Sequence, residues 1–333
     1  MKTQATLLGL AIGDALGQPF EFSTAKQIIE SGWKGDLINS SFGYEGMFKL
    51  DQGQWTDDTK MALCIANSLI DQDGFDIDDL AKKYIAWVES RDVRGIGIRT
   101  ESSIHNMMRG ISPLESGTKH AGRAKPSFKR ISVAIEDSDS DHLHGPGDFC
   151  GCGTVMRCAP IGVFYYKSND KLLLIDAAHK DATITHNHPD ARDSSKYICL
   201  MISHLLNGVS KESSVKLLQD SEFEYDHISR LTDEAIETAN DPESTFANGI
   251  QLGVAGTAHE TLASALFCFL KFETFKEVVT SAVLIGGDTD SRAAIAGALA
   301  GAYYGIEGIP KEWVEQVEES EMIQDLDKKL FNR

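Results

Sequence analysis

The amino-acid sequence predicts an all-α protein, and three observations carry that expectation. Apolar residues recur at helical spacing through most of the chain, as Leu80, Tyr84, Ile85 and Val88 do within 76–91. Convincing strands of alternating polarity are absent. Two stretches, WTDDT at 55–59 and GGDTDS at 286–291, set paired aspartates directly ahead of helices made almost wholly of apolar residues.

Residues 4–17 form the first expected helix, with Gly9, Gly13 and Gly17 spaced along an otherwise apolar segment. Each glycine costs about 1 kcal/mol relative to alanine, so three of them ask for close packing in return. Pro19 ends this helix and Glu21 follows at its exit, a position that on its own suits a solvated carboxylate as well as a functional one. Residues 24–53 read as a short helix and a long surface loop leading into WTDDT. The segment 76–91 is a capped amphipathic helix. RGIGIRT (94–100) is a glycine-containing turn before a polar helix around 101–108. The polar stretch 112–149 reads as a mobile surface loop. Its His142 and His144, with Cys150 and Cys152 beyond, match no zinc-finger or ribbon spacing. At 151–165, GCGTVMRCAPIGVFY is a glycine turn opening onto an apolar helix, whose backbone N–H groups could hold a phosphate. One helix ends at 185–188 and another begins after Pro189. The stretches 191–207, 214–239 and 246–284 are again helical by period. Last comes the helix after GGDTDS, whose Ala293, Ala294, Gly297, Ala298 and Gly301 let a neighbour approach closely and place it at the centre.

The paired aspartates have two readings. Asp288 can cap its helix with Asp290 in the first turn, where the dipole favours negative charge. Alternatively, both can ligate a cation, which would offset the cost of bringing like charges into a core. Two such pairs, far apart in sequence and each feeding a buried helix, are hard to explain as independent caps.

Composition narrows the function classes. Hydrophobic residues make up 42% and charged residues 25% of the 333, as in a soluble globular protein. The formal net charge of −18 disfavours a nucleic-acid partner, which is bound by neutralising phosphates. It leaves room for a small anion held locally. Six cysteines lack the spacing of small secreted domains and suit a reducing compartment. Lys2 and the following ATLLGLAIG superficially suggest a signal peptide, but Asp14 interrupts the apolar run and no cleavage site follows. No stretch suits a membrane span, so the expected location is cytoplasmic.

Taken in order, GDALGQPFE (13–21), WTDDT, GCGTVMR (151–157), THNHPDA (185–191) and GGDTDS resemble the ADP-ribosylglycohydrolase family over roughly residues 4–310. The resemblance implies a compact single-domain helical bundle over 1–333. It also implies a dinuclear cleft holding two divalent cations, Mg2+ or Mn2+. The implied ligands are Thr56, Asp57, Asp58, Asp288, Asp290 and Ser291, whose oxygens suit hard cations. Asp57, Asp58 and Glu21 become candidates for the catalytic base. Gly151, Cys152 and Gly153 become the loop that holds the diphosphate and ribose, and His186 a ligand contact. Ser291 stands where many relatives have Thr, and Cys152 where Asn is frequent. Gly95 falls where relatives of the nitrogenase-regulating branch often carry a catalytic Asp, whose role therefore does not transfer.

The implied activity is hydrolysis of the bond from ADP-ribose to a modified acceptor, foremost an arginine on a protein. Serine-, nucleic-acid- or metabolite-linked ADP-ribose is the alternative substrate class. A separate alternative is a binding or immunity protein whose partner is an ADP-ribosyltransferase that it occludes.

Overall fold

In a computed structural model, the structure describes residues 4–39, 50–118, 150–219, 221, 223 and 226–333. It is helical almost throughout, as the periodicity predicts. At its centre lies α1 (Thr6–Gly17), every residue of which is buried, running along α14 (Thr289–Tyr304). The glycines of α1 are explained by this contact. A β-carbon on Gly9 would lie 2.2 Å from the carbonyl oxygen of Gly297, one on Gly13 2.0 Å from that of Ala293, and one on Gly17 2.4 Å from that of Thr289. The two backbones touch, and no side chain larger than hydrogen fits between them. The N-terminus of α1 is capped from the far end of the chain, where Asp327 on α16 (Ser320–Phe331) accepts the amides of Leu7 at 2.9 Å and Leu8 at 3.0 Å.

Around this pair pack α3 (Asp57–Gln72), α7 (Ala159–Phe164), α9 (Pro189–Leu206), α12 (Ala258–Lys271) and α13 (Phe275–Leu284). On the flank of α3 lies α4 (Ile77–Ser90), capped by Asp76 through the amides of Asp78 and Asp79, and against α4 packs α5 (Ile98–Met108). A short α6 (Pro113–Ser116) is tied down by the Ser116 hydroxyl, which donates to the carbonyl of Ile184 in α8 (Lys171–Thr185) at 2.6 Å. Helices α2 (Ala25–Glu30), α10 (Lys211–Gln219), α11 (Asp226–Asn240) and α15 (Lys311–Gln316) complete the set.

Three departures from the sequence reading have local causes. The run 246–284 is a 3-10 turn (Phe246–Leu252) followed by α12 and α13, because Gly253 and Gly256 adopt positive φ between them. Residues 23–24 and 286–287 pair as a two-residue antiparallel ladder, Ser23 opposite Gly287 and Thr24 opposite Gly286, too short to leave an alternating pattern. The loop expected at 112–149 begins with α6, while 119–149, including His142 and His144, lie outside the described residues, as do 40–49. Among the described residues, no helix is long and apolar enough to cross a membrane.

Gly13→Val should lower unfolding stability by about 3 kcal/mol, the upper end of ordinary overpacking, seen as a reduced urea midpoint. Gly97→Ala, at a φ of −67° with open space around it, should stay within about 0.5 kcal/mol of the parent.

Candidate functional site

The N-termini of α3 and α14 meet at one end of the α1–α14 pair and form the floor of a cavity of about 760 Å³. On the α3 side, the hub is Asp14 in the last turn of α1. It is fully buried and accepts the amide and hydroxyl of Thr56, the latter at 2.9 Å, together with the amide (3.0 Å) and hydroxyl (2.6 Å) of Thr59. One carboxylate from a different helix thus satisfies two of the orphan amides at the start of α3, those of Thr56 and Thr59. The aspartates of WTDDT are left free for the cavity, and both Asp57 and Asp58 line it. The sequence reading treated Asp14 only as an interruption of an apolar run. Its signal was a carboxylate within a helix otherwise free of charge.

The α14 side is built similarly. The Thr289 hydroxyl donates to the carbonyl of Gly17 at 2.8 Å. The fully buried Arg292 donates to the carbonyl of Gly286 at 2.6 Å and to Ser264 Oγ at 2.7 Å. Gly286 and Gly287 carry φ of +80° and +74°, which let the chain turn sharply into the helix. The simple capping account fails for Asp288: it holds the cap position but accepts no backbone N–H from α14. Its Oδ2 instead accepts the Cys152 thiol at 2.9 Å, and that sulfur lies 3.4 Å from Ser291 Oγ. Asp290 does accept the Ser291 amide, at 2.9 Å.

Asp57, Asp58, Asp288, Asp290 and Ser291 all face the cavity, and Glu21 joins them from the exit of α1. Thr56 lies just behind the floor, buried, its hydroxyl donating to Asp14 and keeping a lone pair free. Burial, reinforced by the charges of Asp288, Asp57 and Asp14, holds Glu21 well above the usual carboxylate range. Burial and Asp14 push Asp57 up to about 8. Asp58 and Asp290 are held well above their usual values by burial first, and then by the charges of Asp14, Asp57 and Asp288 on Asp58 and of Glu21, Asp58 and Asp288 on Asp290. Asp58 Oδ1 is buried with no hydrogen-bond partner among the described residues.

These features suit hard divalent cations. The donors are oxygens, one is an orphaned carboxylate oxygen, and added cations would relieve the mutual repulsion. Two glycines keep the space open: a β-carbon on Gly95 would sit 2.6 Å from Asp57 Oδ1, and one on Gly256 2.5 Å from Asp288 Oδ2. An acidic side chain at position 95 is therefore incompatible with Asp57 as placed. Among the described residues, the only His, Cys, Asp or Glu side chains with three ligand atoms mutually within 4.8 Å are Cys150, His188 and Asp190.

The opposite wall is the turn Gly151–Cys152–Gly153 with His186 behind it. The turn differs from the sequence expectation: it enters a 3-10 turn (Cys152–Thr154), and α7 starts only at Ala159. Gly151 bridges to Thr257, and the Cys152 amide donates to the carbonyl of Gly256 at 2.9 Å, so this amide is not available to a ligand. Arg157, fully buried, holds the turn by donating to the carbonyl of Gly153 at 2.9 Å and to Thr185 Oγ1 at 2.8 Å, with Asp181 as its counter-ion at 3.1 Å. Thr185 Oγ1, which accepts from Arg157, also lies 2.9 Å from His186 Nδ1. Burial, with Arg157 and Arg99 nearby, lowers the His186 pKa to about 3. Phe22, next to Glu21, was not singled out by sequence. It lines the cavity mouth at a φ of +63°, an unusual conformation for an aromatic residue.

Comparison with known proteins agrees with this architecture. The ADP-ribosylglycohydrolase family profile matches residues 2–333. The chain is 29% identical to an ADP-ribosylarginine hydrolase Tri1 of Pseudomonas putida (strain GB-1), over 100% of this chain and 78% of the relative. It is 28% identical to the ADP-ribosyl-[dinitrogen reductase] glycohydrolase of Rhodospirillum rubrum, over 95% of this chain and 90% of that protein. A solved structure titled ADP-ribosylglycohydrolase-related protein complex superposes with a TM-score of 0.73 at 26% identity, covering 98% of this chain and 96% of that one. The chain belongs to the ADP-ribosylglycohydrolase family of hydrolases.

Proposed function

We propose that this hydrolase cleaves the bond between C1″ of the distal ribose and a guanidinium nitrogen of ADP-ribosylated arginine on a protein. The observation that carries the reading is the convergence of five carboxylates from three separate segments, Glu21, Asp57, Asp58, Asp288 and Asp290, opposite a glycine turn backed by a neutral histidine. An arginine acceptor is favoured because relatives across the whole length are named as ADP-ribosylarginine hydrolases. A cleft rich in acid also suits a cationic leaving group.

Thr56, Asp57, Asp58, Asp288, Asp290 and Ser291 would hold two divalent cations, Mg2+ or Mn2+, which when bound supply charge neutralisation, orientation of ribose hydroxyls and a more acidic water. Thr56 can serve while still donating to Asp14. The glycine turn would accommodate the diphosphate, with Gly151 and Gly153 leaving room for it beside His186. His186 would donate Nε2–H to the ligand as a neutral imidazole. One of Asp57, Asp58 or Glu21 would take the proton of the attacking water.

Asp57→Ala and Asp288→Ala should each reduce release of ADP-ribose from ADP-ribosyl-arginine by at least about 100-fold while far-UV circular dichroism stays helical. The thermal stabilisation by Mg2+ should shrink in both. A panel of arginine-, serine- and DNA-linked ADP-ribose separates the substrate readings. Release from none of them, with Mg2+ still bound, would favour an occluding partner of an ADP-ribosyltransferase.

His186 also predicts a pH effect. Its folded pKa, about 3, is lower than that of a free imidazole, so the stability tied to the neutral ring is complete above pH 6.5 and lost on acidification toward pH 3. Between pH 6 and 4 the parent should lose about 1.4 kcal/mol per pH unit more than His186→Gln, measured by urea denaturation. Equal slopes would place a protonated ring in the folded state.

A further inference from the structure

One cluster of ligand-type side chains is used by neither the acidic floor nor the glycine wall. Cys150, just before the turn, meets His188 and Asp190 at the start of α9, with one ligand atom from each within 4.8 Å of the other two. Cys150 and Asp190 are buried, and His188 is partly exposed, which provides a path from solvent. Asp190 Oδ2 lies 3.7 Å from His188 Nδ1 and 3.4 Å from Nδ1 of His259 in the first turn of α12. Part of this has a plain structural use, since His188 accepts the Asp190 amide at 3.2 Å and caps α9. Capping explains neither the thiol nor the second imidazole. A sulfur, an imidazole nitrogen and a carboxylate oxygen together form a donor set suited to Zn2+ and ill-suited to Mg2+.

We propose that Cys150, His188 and Asp190 form a second cation site, distinct from the acidic cleft, for a single thiolate-preferring divalent ion of the zinc class. His259 orients the Asp190 carboxylate from behind, the usual role of an outer partner in such sites. The place in the fold gives the ion a consequence. The Cys150 carbonyl accepts the Ala258 amide at 2.9 Å and Gly151 bridges to Thr257, so the ion fastens the start of the glycine turn to α9 and α12 together. The turn lines the cleft, which makes ligand affinity the property this site controls. Loading the site displaces the thiol proton, one per ion.

The test is a Co2+ titration of the full-length protein in excess Mg2+, which competes for the hard-oxygen groups of the cleft. One equivalent should produce a thiolate-to-cobalt charge-transfer absorption that Zn2+ abolishes. Cys152→Ser, which removes the thiol of the acidic cleft, should retain the absorption, and Cys150→Ser should lose it. His188→Gln should weaken Co2+ at least about 10-fold. No absorption in the parent, or an unchanged one in Cys150→Ser, overturns the proposal. Should Cys150→Ser fail to fold, unchanged affinity in His188→Gln overturns it alone. None of these readouts involves hydrolysis, so the outcome is independent of the substrate assignment.

Discussion

The contact of α1 with α14 through bare backbone is the constraint on which the rest of the molecule depends. Gly9, Gly13 and Gly17 bring the two helices so close that the end of α1 reaches the beginnings of both acid-bearing helices. From that end, Asp14 accepts four donors at the start of α3, and the Gly17 carbonyl accepts the Thr289 hydroxyl of α14. Moving the helices apart by the width of a methyl group would break this junction and separate the aspartates it assembles. Packing and site are therefore one arrangement: the glycines that cost helix propensity are repaid by the position of the carboxylates.

The junction also separates structural acid from acid that faces the cavity. Asp14 is buried, its oxygens satisfied by Thr56 and Thr59, and it relieves α3 of the need for a local cap. Asp57 and Asp58 are then free to face the cavity, at the cost of pKa values raised by burial and mutual repulsion. The same division recurs on α14, where Arg292 and Thr289 secure the backbone and leave Asp288 without a capping role. Fixing a helix start from outside is a general way to hold several like charges in one place, because the backbone need not relax when the charges repel. Asp58 Oδ1 is what that strategy leaves over: a buried acceptor with no hydrogen-bond partner among the described residues.

The parts legible in the sequence were those encoded locally. Helical periodicity, the glycines of α1, the small residues of α14 and the two aspartate pairs all sit within windows of a few turns, and each predicts its own surroundings. The glycine turn and His186 were legible as a pair only through resemblance, since neither spacing is distinctive alone. The roles of Asp14, Arg157 and Arg292 were not legible, because each is defined by partners from remote segments. Arg157, for instance, joins the carbonyl of Gly153 to Thr185 and Asp181. The expected helix directly after the glycine turn failed for a similar reason. The backbone there is committed to Thr257 and Gly256, about a hundred residues away, which a local pattern cannot report.

The wall and the floor of the cleft are consequently held by different means. The floor is fixed from the centre of the molecule, by helices that cannot separate without destroying the core. The wall is fixed by hydrogen bonds among loop segments and by the buried Arg157–Asp181 pair, whose worth lies in geometry, since removing either partner would strand the other charge. Histidine and turn are coupled there: Arg157 anchors Gly153 and, through Thr185, reaches Nδ1 of His186. A change in this wall would thus alter what the cleft can grip, and would reach the acidic floor through the Cys152 thiol, which donates to Asp288. Divergence in ligand preference on a common acidic floor is the evolutionary freedom such a division permits.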